Sequence, residues 1–263
     1  APIIHHPDVR RMLMTMRALT EGCRAMAAVG ASAYDAAHHH ADADTRKQNQ
    51  AFYEFLVPLI KGYSTEMSQE VTCLGVQVHG GMGFMEETGA AQLYRDAKIL
   101  PIYEGTTAIQ ANDLVGRKTA RDGGQTAKAI CVQIEVTEKA LIAKANTSMA
   151  CKAVAKQLGI ARKALIEVID FVAGNTKASP NAVFAGSVPY LMLAGNVVAG
   201  WQLARALLVA ENELAKGDDA AFMQAKIHTA QFYAEHILSK AEGIKSSIVD
   251  GAASVTAMAL DSF

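Results

Sequence analysis

Apolar residues recur at spacings of three and four along most of this chain, which predicts helices from end to end. In the first stretch Val9, Met12, Leu13, Met16, Leu19, Cys23, Met26, Ala27 and Gly30 form one stripe. Arg10, Arg11, Arg17, Glu21 and Arg24 fall mostly off it. Pro7 and Asp8 suit a helix start, so this helix is expected to run to about His38. Ala41-Asp-Ala-Asp44 is a polar connection, after which Asp44 or Thr45 is expected to cap a second helix. That helix carries Phe52, Phe55, Leu56, Leu59, Ile60, Tyr63, Met67, Val71 and Leu74, with Pro58 expected to kink or tighten it. It ends at a glycine cluster over 80–83. A short helix over 88–97 and another over 105–118 follow.

Arg121-Asp-Gly-Gly-Gln125 is polar and glycine-rich, and marks the clearest internal boundary. Four further helices are predicted beyond it, over 125–145, 149–173, 181–216 and 219–247, with a short one at 251–260. Asn175 to Pro180 and 217–219 supply turns, and no period-two strand emerges. The reading is all-α, as two packed helical bundles. Val183 to Ala210 is the most apolar segment, but Pro189, Asn196, Gln202 and Arg205 interrupt it, so a buried helix is expected rather than a membrane span.

Composition narrows this little. Hydrophobic residues at 51% allow a sizeable core, and a net charge of -1 offers nothing to nucleic acid or an anionic membrane. The four cysteines lie singly within apolar helical patterns, as buried free thiols in a reducing compartment would. The opening Ala1-Pro-Ile-Ile reads as the start of a piece cut from a longer protein. His38-His-His40 points its rings in diverging directions at a helix end, and His228 and His236 have no evident partner, so no metal site is expected. Asn146-Thr-Ser148 reads as a turn between helices rather than a glycosylation site.

Three short segments carry the candidate chemistry. Gly80, Gly81 and Gly83 either end a helix in a tight turn or let other atoms approach the backbone closely. Arg95-Asp-Ala-Lys98 reads as a solvated helix end with an internal ion pair. Glu104 precedes a helix, where a carboxylate serves either as a cap or as a reactive group, and Thr106 is an alternative cap.

Taken in order, Gln77-x-x-Gly-Gly-x-Gly-Phe84, Leu93-x-Arg95-Asp-Ala-Lys-Ile99 and Ile102-Tyr-Glu-Gly-Thr-x-x-Ile-Gln110 closely resemble the signature block of the acyl-CoA dehydrogenases, which are flavoenzymes. The resemblance extends more loosely over residues 5–118. It implies the family's C-terminal four-helix bundle over 1–120, followed by an additional helical domain over 121–263. By the same resemblance Glu104 matches the base that removes the α-proton of an acyl-CoA thioester, whose β-hydride passes to FAD to leave a trans-2-enoyl-CoA. Gly105 and Thr106 match the turn that lies against the flavin and its phosphates. Gln77, Gly80 and Gly81 match positions that contact the adenosine part of a neighbouring subunit's FAD. Ala108 departs from a glutamine that touches the cofactor in many relatives, and His79 and Met82 stand at variable positions without an assigned role.

The resemblance also implies an electron-transfer flavoprotein as partner, and the reducing compartment read from the cysteines is taken as the cytoplasm. The family's N-terminal helical domain, its central β-domain and an Arg-x-x-Phe-Gly-type segment are expected outside this stretch, so the isolated chain is expected to hold FAD weakly or not at all. A helical extension such as 125–263 occurs in larger members, and His6-Pro-Asp-Val-Arg-Arg-Met-Leu-Met14 is most similar to a bacterial group acting on 3-(methylthio)propanoyl-CoA and related substrates. In such members the extension covers a surface used for tetramer formation, which implies a homodimer. The alternative is a non-catalytic helical module for oligomerisation or docking.

Overall fold

The computed structural model describes residues 1–217 and 219–263, all helical or irregular, with no strand among them. The first half contains α1 (Pro7–His39), α2 (Ala43–Pro58), a π-turn (Leu59–Tyr63), α3 (Ser64–Val78), α4 (Gly81–Phe84), α5 (Ala90–Lys98) and α6 (Thr107–Gly116). The second contains α7 (Gln125–Lys144), α8 (Met149–Asn175), α9 (Pro180–Ala185), α10 (Ser187–Lys216), α11 (Ala220–His236), α12 (Ala241–Val249) and α13 (Ala252–Val255).

α1 starts on Pro7 at its first position, where the missing N–H costs nothing. Its buried face is Met12, Thr15, Ala18, Leu19, Gly22, Met26, Gly30 and Ala33. The predicted stripe included Gly30 but missed Thr15, Ala18, Gly22 and Ala33, and Ala27 is exposed. Small residues matter here because other helices come close: a Cβ on Gly22 would lie 3.2 Å from Ala199 Cβ and 3.3 Å from the Tyr233 ring. The cap of α2 is Asp42, not Asp44 or Thr45; its carboxylate accepts the Thr45 N–H at 2.7 Å.

Pro58, expected to kink or tighten the long second helix, stands where that helix widens. Across Leu59–Tyr63 the helix takes a π-turn, and the Ser64 N–H donates to the Leu59 carbonyl five residues back. A π-turn inserts one extra residue and so shifts the face that following side chains present.

α10 is buried nearly all round, as its apolar composition requires. It packs against α1, α6, α7, α8, α11 and α12, and so joins both halves of the chain in one hydrophobic core. Each fully buried Leu or Val on it contributes about 1.5–3 kcal/mol. Its start is later than predicted: the 181–216 segment breaks at Gly186, where a Cβ would meet Ile248 at 2.9 Å. The 219–247 helix likewise breaks, at Ile237, into α11 and α12. The predicted 251–260 helix is only α13, followed by a short 3-10 turn at Leu260–Ser262. The turn expected at 217–219 includes Asp218, which lies outside the described residues.

Polar ties cross the core. Tyr63 donates to Asn196 Oδ1 at 2.9 Å, shares a 3.0 Å hydrogen bond with the Tyr233 hydroxyl, and Tyr233 also reaches the Asn196 carbonyl. Trp201 donates to Thr137 at 2.8 Å and packs edge-on against Phe52. The 146–148 turn ends in Ser148, which caps α8 by accepting the Cys151 N–H. Cys131 and Cys151 are buried, but Cys23 is only half-buried and Cys73 is exposed, against the expectation for all four.

Candidate active-site surface

The six predicted site residues fall in two clusters at opposite ends of α3. Gln77, Gly80 and Gly81 lie at its C-terminal end, and all three are exposed. Glu104, Gly105 and Thr106 precede α6, which is tied to the first turn of α3 by Thr107 donating to Glu66 at 2.5 Å. Eleven residues of helix between Glu66 and Gln77 put the clusters roughly 16 Å apart.

At the first cluster both readings of the glycines hold, at different positions. Gly80 ends the helix with φ +62, donating its N–H to the Gln77 carbonyl at 3.0 Å. A Cβ on Gly80 or Gly81 would meet nothing within 4 Å, so this backbone is open to an incoming group. Gly83 is the close approach: a Cβ there would lie 2.2 Å from the Val76 carbonyl oxygen. Around these glycines the surface is apolar, with Met82, Phe84, Met85, Leu93 and Tyr94 all exposed, Phe84 at 81%. Arg95 forms its ion pair not within its own segment but with Glu86, in a two-pronged contact at 2.6 and 2.9 Å.

At the second cluster the cap is Thr106, whose hydroxyl accepts the Ile109 N–H at 3.3 Å. Glu104 is thereby released from the capping role. It is exposed and adopts φ +49, a left-handed conformation that few non-glycine residues take. Gly105 follows at φ +95, and a Cβ on it would strike the Gln110 side-chain amide at 2.6 Å. Ile102, Tyr103 and Ile109, all within five residues of Glu104 in the chain, expose apolar surface. Lys61, from the π-turn, donates to the Leu100 carbonyl at 2.5 Å and lies over the Tyr103 ring, 5.1 Å from its centre. Sequence reasoning named Gln110 only as the end of the signature block and gave Lys61 no part in this; the available signal for Lys61 was a lone cation in the apolar run Leu59-Ile-Lys-Gly-Tyr63.

Chemically, the second cluster offers a carboxylate held out on a fixed turn and flanked by apolar side chains. The first offers open backbone beside a large apolar patch. Among the described residues no group of three or more His, Cys, Asp or Glu is placed to hold a metal ion.

Residues 1–119 match the family model described as acyl-CoA dehydrogenase, C-terminal domain, and residues 130–259 the one described as acetyl-CoA dehydrogenase C-terminal like. The chain is 53% identical over 249 residues to 3-methylmercaptopropionyl-CoA dehydrogenase of Ruegeria pomeroyi, covering 95% of this chain and 42% of that protein. It is 36% identical over 255 residues to a broad-specificity linear acyl-CoA dehydrogenase of Mycobacterium tuberculosis, covering 90% and 40%. The chain thus spans about two fifths of these relatives' length. Among solved structures, the fold is shared with an acyl-CoA dehydrogenase complexed with FAD from Bacillus anthracis, with TM-score 0.70 and 18% identity over 97% of this chain and 45% of that one. It is also shared with Caenorhabditis elegans ACDH-11 in complex with C11-CoA, with TM-score 0.64 and 18% identity over 91% and 39%. An all-helical chain that matches both C-terminal family models almost end to end belongs to the acyl-CoA dehydrogenase family.

Proposed function

We propose that this chain is the C-terminal part of a flavin-dependent acyl-CoA dehydrogenase that makes a trans-2-enoyl-CoA, with Glu104 as the base. The single observation that carries the reading is the released, left-handed Glu104 on a turn capped by Thr106. In that role its carboxylate takes the proton from the carbon next to the thioester carbonyl. Its backbone N–H is then a donor for the thioester oxygen, where negative charge develops. Ile102, Tyr103 and Ile109 exclude water once the rest of the protein and the acyl chain cover them, which strengthens a carboxylate as a base. FAD, when bound, accepts the β-hydride.

The residues present fit such a cofactor. Gly105 and Thr106 lie beside the base on a turn where Gly105 adds no side chain of its own against the Gln110 amide, and Gln77, Gly80 and Gly81 leave open backbone at the other cluster. The separation of the clusters supports two different FAD contacts, the Gly80 cluster serving a neighbouring subunit's adenosine. The exposed apolar row from Met82 to Tyr94 supports a homodimer, and supports the alternative of a docking role for the chain alone. Because both clusters are exposed, the isolated chain retains little or no FAD and is inactive. We further propose two helical units, 1–120 and 121–263, the second opening on the boundary segment Arg121–Gln125 with its left-handed pair Gly123 and Gly124. An electron-transfer flavoprotein as electron acceptor is supported by a partial match to the caffeyl-CoA reductase-Etf complex subunit of Acetobacterium woodii. A cytoplasmic location is supported by four cysteines without a disulfide.

The relative from Ruegeria pomeroyi makes 3-(methylthio)propanoyl-CoA the first substrate to try. The intact protein, assayed with an artificial electron acceptor, should oxidise it or a straight-chain acyl-CoA to the enoyl-CoA. No enoyl product from any acyl-CoA would leave the docking reading.

A further inference from the structure

The loop from Ile99 to Thr106 has few internal ties for a segment that must hold a strained residue in place. Its backbone makes short turns, Ile102 and Tyr103 donating to the Ile99 carbonyl and Thr107 to the Pro101 carbonyl. What fixes it to the body of the protein comes from the π-turn. Lys61 reaches across 39 residues of sequence to the Leu100 carbonyl at 2.5 Å, and its ammonium lies over Tyr103, the neighbour of Glu104. One residue on, Gly62 admits Gln110: a Cβ there would lie 3.0 Å from Gln110 Cβ and 2.7 Å from Leu191. Gln110 in turn covers Gly105, the residue after Glu104. The loop is therefore clamped on both sides of Glu104 by two consecutive residues of one π-turn.

The π-turn is itself anchored from the second half of the chain. The Tyr63 ring occupies the space a Cβ on Gly195 would need, at 2.2 Å, and its hydroxyl is held by Asn196 and Tyr233. Removing one residue to restore an unbroken α-helix would turn the side chains beyond that point by about 100° once relative to the preceding turns, so the extra residue sets which face the loop and which face α10.

We propose that Lys61 is a positioning residue for the α-proton abstraction: through the Leu100 carbonyl and the Tyr103 ring it holds the turn that presents Glu104. It touches neither substrate nor cofactor. The inference rests on Glu104 being the base, but its structural half stands apart from that reading and is measured separately.

The experiment uses two variants, Lys61→Met, which keeps the apolar stem and removes the ammonium, and Lys61→Arg, which restores a donor able to stack on Tyr103. In this chain, hydrogen exchange of the Ile102, Tyr103 and Thr107 amides should speed up at least ~10-fold in Lys61→Met, with α10 amides unchanged, and return toward the original in Lys61→Arg. In the intact flavoprotein, Lys61→Met should lower kcat by about 10- to 100-fold with KM for the acyl-CoA within about 3-fold, the pattern of a misplaced base rather than a lost binding contact. Lys61→Arg should recover most of that loss. Unchanged loop exchange in Lys61→Met overturns the clamp. Faster exchange with unchanged kcat overturns the positioning role. A Glu104→Gln enzyme that still turns over in the same assay marks failure of the base assignment, not of the clamp.

Discussion

Glu104 sits in a backbone conformation that costs an L-residue other than glycine roughly 1–2 kcal/mol. A glycine at this position would be comfortable, and glycine already follows at 105. Under the proposed function, a glutamate stands there instead for its carboxylate. The cost has a measurable trace. Glu104→Gly and Glu104→Ala both remove the carboxylate, but only glycine relieves the strain. Urea denaturation should find Glu104→Gly more stable than Glu104→Ala by about 1 kcal/mol. Equal stabilities would mean that the turn relaxes and is not held left-handed. At Gly80 and Gly105 the positive φ values are met by glycine itself, so no such trade arises.

Among the elements, the π-turn ties the Glu104 loop to the core. It places Lys61 and Gly62 against the Glu104 loop and Tyr63 against α10, where Gly195 makes room. Gly195→Ala should therefore destabilise the protein by about 1–3 kcal/mol through overpacking on Tyr63. Gly174→Ala is the control: it lies exposed in α8 with nothing within 4 Å of an added Cβ, so thermal unfolding should show it neutral or slightly stabilised. If the two variants melt alike, the close approach of Tyr63 to α10 is wrong.

Much at this scale was legible in the sequence. Pro7, the 3–4 spacing of apolar residues and the glycine clusters located most helices to within a few residues. What was not legible depends on contacts between distant segments. Gly186 breaks a continuous apolar run because Ile248 packs on it, and Ile237 breaks another. The π-turn left no local mark beyond Pro58, for which a kink or a tightening was the expected effect. Likewise the order of Gln77 to Gln110 pointed to the family, yet it did not reveal that the site residues lie in two clusters, because that separation is set by the length of α3. Thr106 as the cap was among the readings the sequence allowed; Lys61 was not, since its partner Leu100 is reached only through the fold.

For the molecule as a whole, α10 makes one core of residues drawn from both halves. That core buries protonated groups. Burial pushes the Cys131 thiol from 9.0 up to about 12, and pushes the Tyr63, Tyr190 and Tyr233 hydroxyls above their ordinary range. Each raised value means that the folded state keeps a proton the unfolded chain gives up. The stability contributed by the Cys131 thiol is therefore fully present below about pH 9 and is lost as pH rises toward about 12, with the tyrosines adding to the loss from about pH 10 upward. Denaturation midpoints measured between pH 7 and 11 should fall above about pH 9. A flat profile would indicate that these groups are not shielded as the core requires.

At the same scale, the proposed function rests on one claim, that the carboxylate of Glu104 takes the α-proton. The most direct measurement is anaerobic mixing of the intact, FAD-loaded Glu104→Gln enzyme with an acyl-CoA that the unaltered enzyme oxidises, following flavin absorbance. Glutamine has nearly the same shape and cannot accept the proton. The flavin should stay oxidised, or be reduced at least ~10³-fold more slowly, while FAD content and circular dichroism match the unaltered protein. Flavin bleaching at an undiminished rate would contradict the account and remove Glu104 from the chemistry.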